Sequence, residues 1–500
     1  MKNQRNPQEP LIRLSIEDFG PIGGGEIVVR PLTILVGRNN AGKSYAAMLM
    51  YSLFGALYSL FPYQPFARPR FSSRRGVARK LDEATLSRID DFLSELVRSE
   101  RNQSLLLPSK ISDTVTRSIM HEVFEKRFRT ELVGAFASPL KELARVSSSA
   151  FGLQIVSGSF TAHLVFEKGR LRLRERTFSE TQITVKSDLQ EGSLMAWDPS
   201  RNLIQVNAKY FTREPQETRK AYRDSFASTV FDACAFPTFS SVAIQSLYLP
   251  AARSGIMQAH RALAATIVER APYAGLETLE VPRLSGVVSD FISSIIDLPE
   301  RRGHFYKLAS DFEQEIVRGE ILVRETKEAR LPEIRYRFEK SEIPLHRASS
   351  TVSELAPLFL HLKHSIERGG VLIIEEPEAH LHPAAQRILA KYLVRLVRGG
   401  IKVIITTHSE YLLEQLNSFI LLGNVEPEER TKHFDYDPED YLLPSEVSAQ
   451  VFELDQGRTH RILPIQVDDE GISSEEFLRI HEALYEEKVR IIRRQVEARP

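Results

Sequence analysis

Cysteine is almost missing: Cys234 is the only one in 500 residues. An internal disulfide and a multi-cysteine zinc site are therefore excluded, which fits a reducing compartment such as the cytoplasm. Net charge is missing too. The 66 Lys and Arg residues balance 66 Asp and Glu, so no global field draws the chain to nucleic acid or a membrane, and any such attraction must be local. The opening MKNQRNPQEP lacks the basic-then-apolar order of a secretory signal. From Ser44 to Ala67 no residue is charged, roughly a membrane-spanning length. That run, however, holds Gly55, several Ser and Tyr, and two prolines near its end, so a buried helix is expected. No sustained heptads, fixed-period repeat or low-complexity tract is present, which excludes a long coiled coil. What remains is the composition of an ordinary globular protein, 42% hydrophobic and 26% charged. The length suggests about two to four units.

Against that background VLIIEEPEAHLHPAAQ, residues 371–386, stands out. Val371 to Ile374 reads as a short strand buried on both faces, as at the centre of a parallel sheet. Glu375 and Glu376 at its end face repulsion and desolvation unless a cation or hydrogen-bond donors meet them. Taken alone, the stretch equally suits a strand ending at the surface in two solvated acids. PLTILVGRNNAGKSY, residues 31–45, supplies the cation. Leu32 to Val36 reads as a buried strand, Gly37 to Ser44 matches G-x-x-x-x-G-K-[ST], and an apolar helix pattern follows, the context that this motif needs. In such a loop successive backbone N–H groups hold phosphate oxygens at a helix N-terminus. Gly37, Arg38, Asn39, Asn40, Ala41, Gly42, Lys43, Ser44 and Tyr45 are thus the candidate nucleotide-binding residues. Lys43 is expected to reach the β- and γ-phosphates and Ser44 to bind Mg2+. Glu375 would hold the metal from the second strand, and Glu376 would polarise the attacking water. Downstream, Val403 to Ile405 is another apolar strand, ending in Thr406-Thr407-His408-Ser409. His408 is expected to hydrogen-bond a γ-phosphate and sense its loss, its alternative being an ordinary core or surface histidine. The cofactors implied are ATP and Mg2+.

In this order the pieces resemble the ABC-type ATPase heads shared by SMC proteins, RecF-like repair proteins and the OLD (overcoming lysogenisation defect) group. IEEPEAHLHP, PLTILVGRNNAGKS and ITTHSEYLLEQLN are especially similar to the OLD-like branch. The similarity is dense over 31–60 and 340–425 and in LYLPAARSG at 247–255. It implies an α/β fold, a P-loop ATPase head with a mixed sheet, interrupted by a large helical and antiparallel-β insertion. It also implies a signature segment in HRASSTVSELAPLFLHL (346–362), where Ser349 and Ser350 open a helix. Hydroxyls and N–H groups there form an anion site, which in the family closes on the γ-phosphate held by a second subunit. The chain departs from transporter ATPases in lacking LSGGQ and in placing Glu375 where aspartate is usual. For the glutamine loop Gln245 is the candidate. Arg253 is expected either to face nucleotide or to make a structural salt bridge. In HLHP, His380 and His382 beside Glu378 suit a transition metal chemically, whereas the resemblance implies a loop crossing the dimer interface.

Lys43 and Glu375 lie more than 300 residues apart, so the head is expected to carry insertions. Residues 80–150 have helical spacing, 151–212 alternate as strands, 257–318 are again helical, and 319–345 read as antiparallel strands leading into the signature. The expected division is 1–62, head with phosphate loop; 63–236, helical then β insertion; 237–262, head strand and helix; 263–335, helical and β insertion; 336–460, the rest of the head; and 461–500, a helical tail. The tail should begin with a solvated turn in VDDEG (467–471) and close with a helix capped by Ser473 and Glu476. OLD nucleases carry a metal-binding Toprim domain after the head. The stretch after His408 is too short for one, so nuclease activity is not expected.

Three basic stretches break the neutrality: 66–80; Arg170, Arg172, Arg174 and Arg176, which alternate onto one strand face; and Lys488, Arg490, Arg493 and Arg494. A solvated face, nucleic acid or an acidic protein partner would each account for them. With the resemblance, the expectation is an ATP-hydrolysing sensor or clamp in antiphage defence or DNA maintenance. Its heads would pair as a homodimer or higher homo-oligomer, away from any membrane. The alternative is a slow-ATPase scaffold holding a separate effector such as a nuclease, as PARIS-like systems pair an ATPase with a Toprim-like effector. A transporter ATPase is the third possibility.

Overall fold

A strand without a polar face must be covered on both sides, and three such strands carry the candidate residues. The computed structural model describes residues 11–60, 81–98, 104–158, 160–177, 182–187, 195–207, 216–239, 245–259, 284–326, 329–455, 459–473, 485–491 and 494. Its first part runs β1 (Ile12–Phe19), β2 (Ile22–Val29), β3 (Leu32–Gly37), α1 (Lys43–Tyr58), α2 (Glu83–Arg98), β4 (Ser104–Leu106), α3 (Ser109–Ile119) and α4 (Lys126–Phe136). Then come β5 (Phe151–Ser157), β6 (Phe160–Glu167), β7 (Arg170–Thr177), β8 (Thr184–Ser187), β9 (Met195–Asp198), β10 (Leu203–Val206) and α5 (Gln216–Phe239). The middle holds β11 (Ser246–Leu249), α6 (Gly286–Ile296), α7 (Tyr306–Val317), β12 (Glu320–Thr326), β13 (Ala329–Phe338) and β14 (Ser341–Pro344). The last part runs α8 (Ser350–His364), β15 (Val371–Glu375), α9 (Pro383–Arg398), β16 (Lys402–Thr407), α10 (Glu410–Leu422), α11 (Pro427–Phe434), β17 (Val447–Asp455) and β18 (Thr459–Ile465).

Eleven strands make one mixed sheet, ordered β11-β15-β16-β3-β17-β18-β2-β1-β5-β6-β7. The run from β11 to β17 is parallel, and the run from β2 to β7 is an antiparallel wing. The fold is thus α/β with a mixed sheet, as expected. One feature of it was not foreseen: β5 to β7, in the segment read as insertion, hydrogen-bond through β1 to the sheet of the phosphate loop. Separate small sheets form from β4, β8, β10 and β9, and from β12, β13 and β14.

Side chains of the parallel strands alternate into two cores. Leu35, Val371, Ile373 and Ile404 join Ala46, Ala47 and Met50 of α1 on one face. Ile34, Val36, Leu372, Ile374, Val403 and Ile405 join Leu355 of α8, Leu389 and Leu393 of α9 and Leu416 of α10 on the other. Each such Val, Leu, Ile or Met side chain contributes about 1.5–3 kcal/mol relative to exposure. The uncharged run after the phosphate loop lies in α1 as far as Tyr58, and eleven residues of that helix are buried. Among the described residues no helix is long and apolar enough to cross a membrane. Ladder register then fixes where the strands stop. Leu249 faces Ile374, Glu375 faces Thr406, and Thr407 faces Val36, so all end at one carboxyl edge, where parallel sheets bind ligands.

Candidate active site

Gly37 closes β3 with φ 143° and Gly42 precedes α1 with φ 104°, conformations open to glycine and rarely to other residues. A Cβ on Gly37 would come within 2.8 Å of the Phe452 carbonyl oxygen, and one on Gly42 within 2.9 Å of Ile22. The loop therefore lies against β17 and β2 only because both positions are glycine. Asn40, at φ 63°, takes a third left-handed position, which Asn tolerates. Arg38, Asn39 and Asn40 are exposed, Ala41 is buried, and the first turn of α1 opens towards the loop.

Lys43 is only 5% exposed. Its ammonium turns back over the loop, donating to the carbonyls of Gly37 (2.8 Å) and Arg38 (2.9 Å), and lies 2.8 Å from His408 Nε2. An ammonium only donates, so Nε2 accepts and the imidazole is neutral with its proton on Nδ1. Burial, followed by the Lys43 charge, pushes the His408 pKa below its ordinary value, against the opposing pull of Glu376 and Glu378. The Ser44 hydroxyl donates to Glu375 Oε2, and the buried Tyr248 hydroxyl donates to Oε1. Glu376 Oε1 lies 3.5 Å from His408 Nε2. Five candidates, Lys43, Ser44, Glu375, Glu376 and His408, thus meet in one place from distant segments.

The two glutamates have different surroundings. Glu375 is 7% exposed, with a hydroxyl on each oxygen. Glu376 is half-buried and sits at φ 43°, where a residue other than glycine costs roughly 1–3 kcal/mol. Its N–H donates to the Thr406 carbonyl (2.9 Å) and Thr406 Oγ1 (3.1 Å). Its carbonyl accepts from Arg253 Nη2 at 3.1 Å, and the Glu375 carbonyl accepts from Nη1 at 2.6 Å. Of the two readings of Arg253, the salt bridge holds, since it pairs with Glu354 of α8 at 2.9 Å and is 1% exposed.

Several expectations need correction. Gln245 lies at the opposite, amino edge, where its carbonyl accepts from Val371 N at 3.0 Å; it cannot serve as a glutamine loop for Ser44. The Tyr45 ring packs 5.1 Å from Phe136 and 6.2 Å from Phe19, leaving only its backbone for a phosphate. Glu378 does not turn to His380 and His382. Its Oε1 accepts from Thr407 Oγ1 (2.7 Å) and His408 N (2.9 Å), while His382 caps α9 by accepting from Ala384 N at 3.2 Å. Two of the three HLHP candidates are thus engaged elsewhere, Glu378 with the Thr407–His408 turn and His382 with the start of α9.

Ser349 and Ser350 are exposed at the start of α8, and Ser349 Oγ accepts from Val352 N at 3.4 Å. Thr351 next to them donates to the His380 carbonyl at 3.2 Å, so the start of α8 touches the loop after β15. Arg170, Arg172 and Arg174 alternate with buried Leu171 and Leu173 on β7, and Arg174 pairs with Glu167. Residues 66–80 and 493, Glu476 and the side chain of Arg176 lie outside the described residues. VDDEG is a small two-stranded turn, Val467 pairing with Ile472 and Asp468 with Gly471.

Tyr248 and Thr406 were not foreseen as site residues, and Glu378 was foreseen only as a metal ligand. Tyr248 reads as one more apolar residue of its strand, and only the chain's return to Glu375 reveals the hydroxyl's use. The donor set suits Mg2+, a hard ion that takes a carboxylate and a hydroxyl and completes its shell with phosphate oxygens and water.

The model of the AAA ATPase domain family matches residues 260–413, a span that holds Ser349, Ser350, both glutamates and His408 but not residues 37–44. This match supports an ATPase. No curated protein matches the chain. Solved SMC heads align along nearly its whole length. The SMC head bound to the C-winged helix domain of ScpA has 10% identity, covers 92% of this chain and 98% of its own, and gives a TM-score of 0.37. The SMC head domain from Thermotoga maritima has 12% identity, with 91% and 98% covered and a TM-score of 0.33. The SMC head with an extended coiled coil bound to the C-terminal domain of ScpA, from Pyrococcus furiosus, has 11% identity, with 95% and 100% covered and a TM-score of 0.34.

Proposed function

We propose that the chain is a Mg2+-dependent ATPase of the ABC-head type, working as a nucleotide-gated clamp or sensor in which two or more copies pair through their heads. The convergence of Lys43, Ser44, Glu375, Glu376 and His408 at one carboxyl edge carries this reading. Lys43 exchanges its bonds to the loop carbonyls for β- and γ-phosphate oxygens, and the backbone of Gly37 to Tyr45 cradles them. Ser44 and Glu375 hold Mg2+, which when bound neutralises charge on the phosphate oxygens. Glu376 orients the attacking water and takes its proton. Once Lys43 has left Nε2 for the phosphates, the His408 proton moves from Nδ1 to Nε2, which donates to the γ-phosphate and couples its departure to opening. Ser349 and Ser350, exposed on a helix N-terminus, are offered to the nucleotide of a second copy.

The proposed head comprises 1–62, 237–262 and 336–460, with 63–236 and 263–335 as insertions and 461–500 as tail, save that β5 to β7 and all of β18 join the head's sheet. A role in antiphage defence or DNA maintenance is supported by the motif resemblance to the OLD-like branch. A separate effector has the same support, and nucleic-acid contact through 66–80 and 170–176 is supported by the local basic charge.

The test is phosphate release alongside particle mass. With ATP and Mg2+, wild type should turn over, and Glu376→Gln should lose about 100-fold or more in kcat while accumulating an ATP-bound dimer by light scattering. Equal turnover in Glu376→Gln would overturn its role as base. A variant that stays monomeric at saturating ATP would overturn the clamp.

A further inference from the structure

The ATPase reading leaves a buried ionic group beside the site without a task. Arg253 follows β11 and is closed off from solvent, as is its partner Glu354, at 1% and 0% exposure. Burying such a pair without further hydrogen bonds is costly, so what the guanidinium touches matters. Nε donates to the Glu354 carbonyl at 3.1 Å and Nη1 to the Pro250 carbonyl at 3.1 Å. The remaining contacts go to the carbonyls of Glu375 and Glu376 and to the Glu354 carboxylate. One planar group therefore bridges the carbonyls of the peptides on either side of Glu376 and ties them to α8, the helix opened by Ser349 and Ser350.

Glu376 needs such a clamp. Its left-handed backbone would relax if unsupported, swinging the carboxylate away from His408. Thr406 holds the N–H side of the turn and Arg253 the carbonyl side. We infer that Arg253 is a positioning residue for hydrolysis: it fixes Glu376 in its strained conformation and, through Glu354, makes that conformation depend on the seating of α8. A second copy's nucleotide pressing on Ser349 and Ser350 would thus be felt at the water-orienting carboxylate of the same chain. The inference rests on the ATPase reading and adds to it a route between the two halves of the site.

The planar fork is the chemical requirement. A lysine in place of Arg253 would keep the charge opposite Glu354, but a single ammonium cannot span both carbonyls. Arg253→Lys should therefore bind ATP with Mg2+ as wild type does, measured with a fluorescent ATP analogue, while kcat falls about 100-fold, the scale of a misplaced reacting group. Glu354→Asp, which keeps the pair but draws the carboxylate back, should lower kcat in the same direction and serves if Arg253→Lys fails to fold. Each change should cost nothing further in a Glu376→Gln background, because Arg253 acts through Glu376. Wild-type kcat in both folded variants, or equal losses with and without Glu376, would overturn the inference and leave the ATPase reading standing. A wild type with neither nucleotide affinity nor turnover would remove both.

Discussion

Tyr248 and Ser44 grip Glu375 from two sides, and the tyrosine does so from a fully buried position. Burial, then the adjacent Glu375 charge, pushes the Tyr248 pKa well above its ordinary value, so it remains a donor at any working pH. Tyr248→Phe should preserve the fold while leaving one carboxylate oxygen free to rotate. The Mg2+ concentration for half-maximal ATPase activity should rise about 10- to 100-fold, as for loss of a group orienting a metal ligand. An unchanged Mg2+ profile would show that the hydroxyl does not orient the metal carboxylate. His408 gives a second test at this scale. Its folded pKa lies below the unfolded value of 6.5, so just below pH 6.5 the unfolded chain binds the proton more readily. Stability should therefore fall as pH drops through that window. The Tm of wild type should decline from pH 7.5 to 5.5, and His408→Gln should flatten that decline. Lys43, Ser44, Glu375, Glu376 and His408 were legible because each stands at a fixed offset from a strand end or a glycine. Tyr248, Thr406 and the Arg253 clamp were not, because a hydroxyl or guanidinium inside an apolar segment declares its partner only in three dimensions.

Elements were legible where one period dominated. Apolar runs at 32–36, 371–374 and 403–405 became β3, β15 and β16, each longer by a few residues at most, and 319–345 became the antiparallel β12 to β14. The partner of β5 to β7 was not legible, since alternation identifies a strand's faces and leaves its neighbours open. Turn chemistry offers the sharpest test here. Gly37→Ala would force a Cβ into the Phe452 backbone at a φ that alanine rarely adopts, and should destabilise the protein by about 1–3 kcal/mol, read by denaturant unfolding. A neutral effect would mean that the loop does not lie against β17 as described.

Over the whole molecule, a mixed sheet with an apolar core on each face aligns four strand ends at one edge. In the proposed function, alignment of those ends, more than any single residue, would let segments separated by hundreds of residues act on one triphosphate. ATP titrated with Mg2+ into wild type and Lys43→Ala, each first confirmed as folded by its melting curve, tests this most directly by calorimetry. Wild type should bind one ATP per chain, and Lys43→Ala should lose about 100-fold or more in affinity, as expected when a buried phosphate-binding charge is removed. Equal affinities in the two proteins would contradict the site.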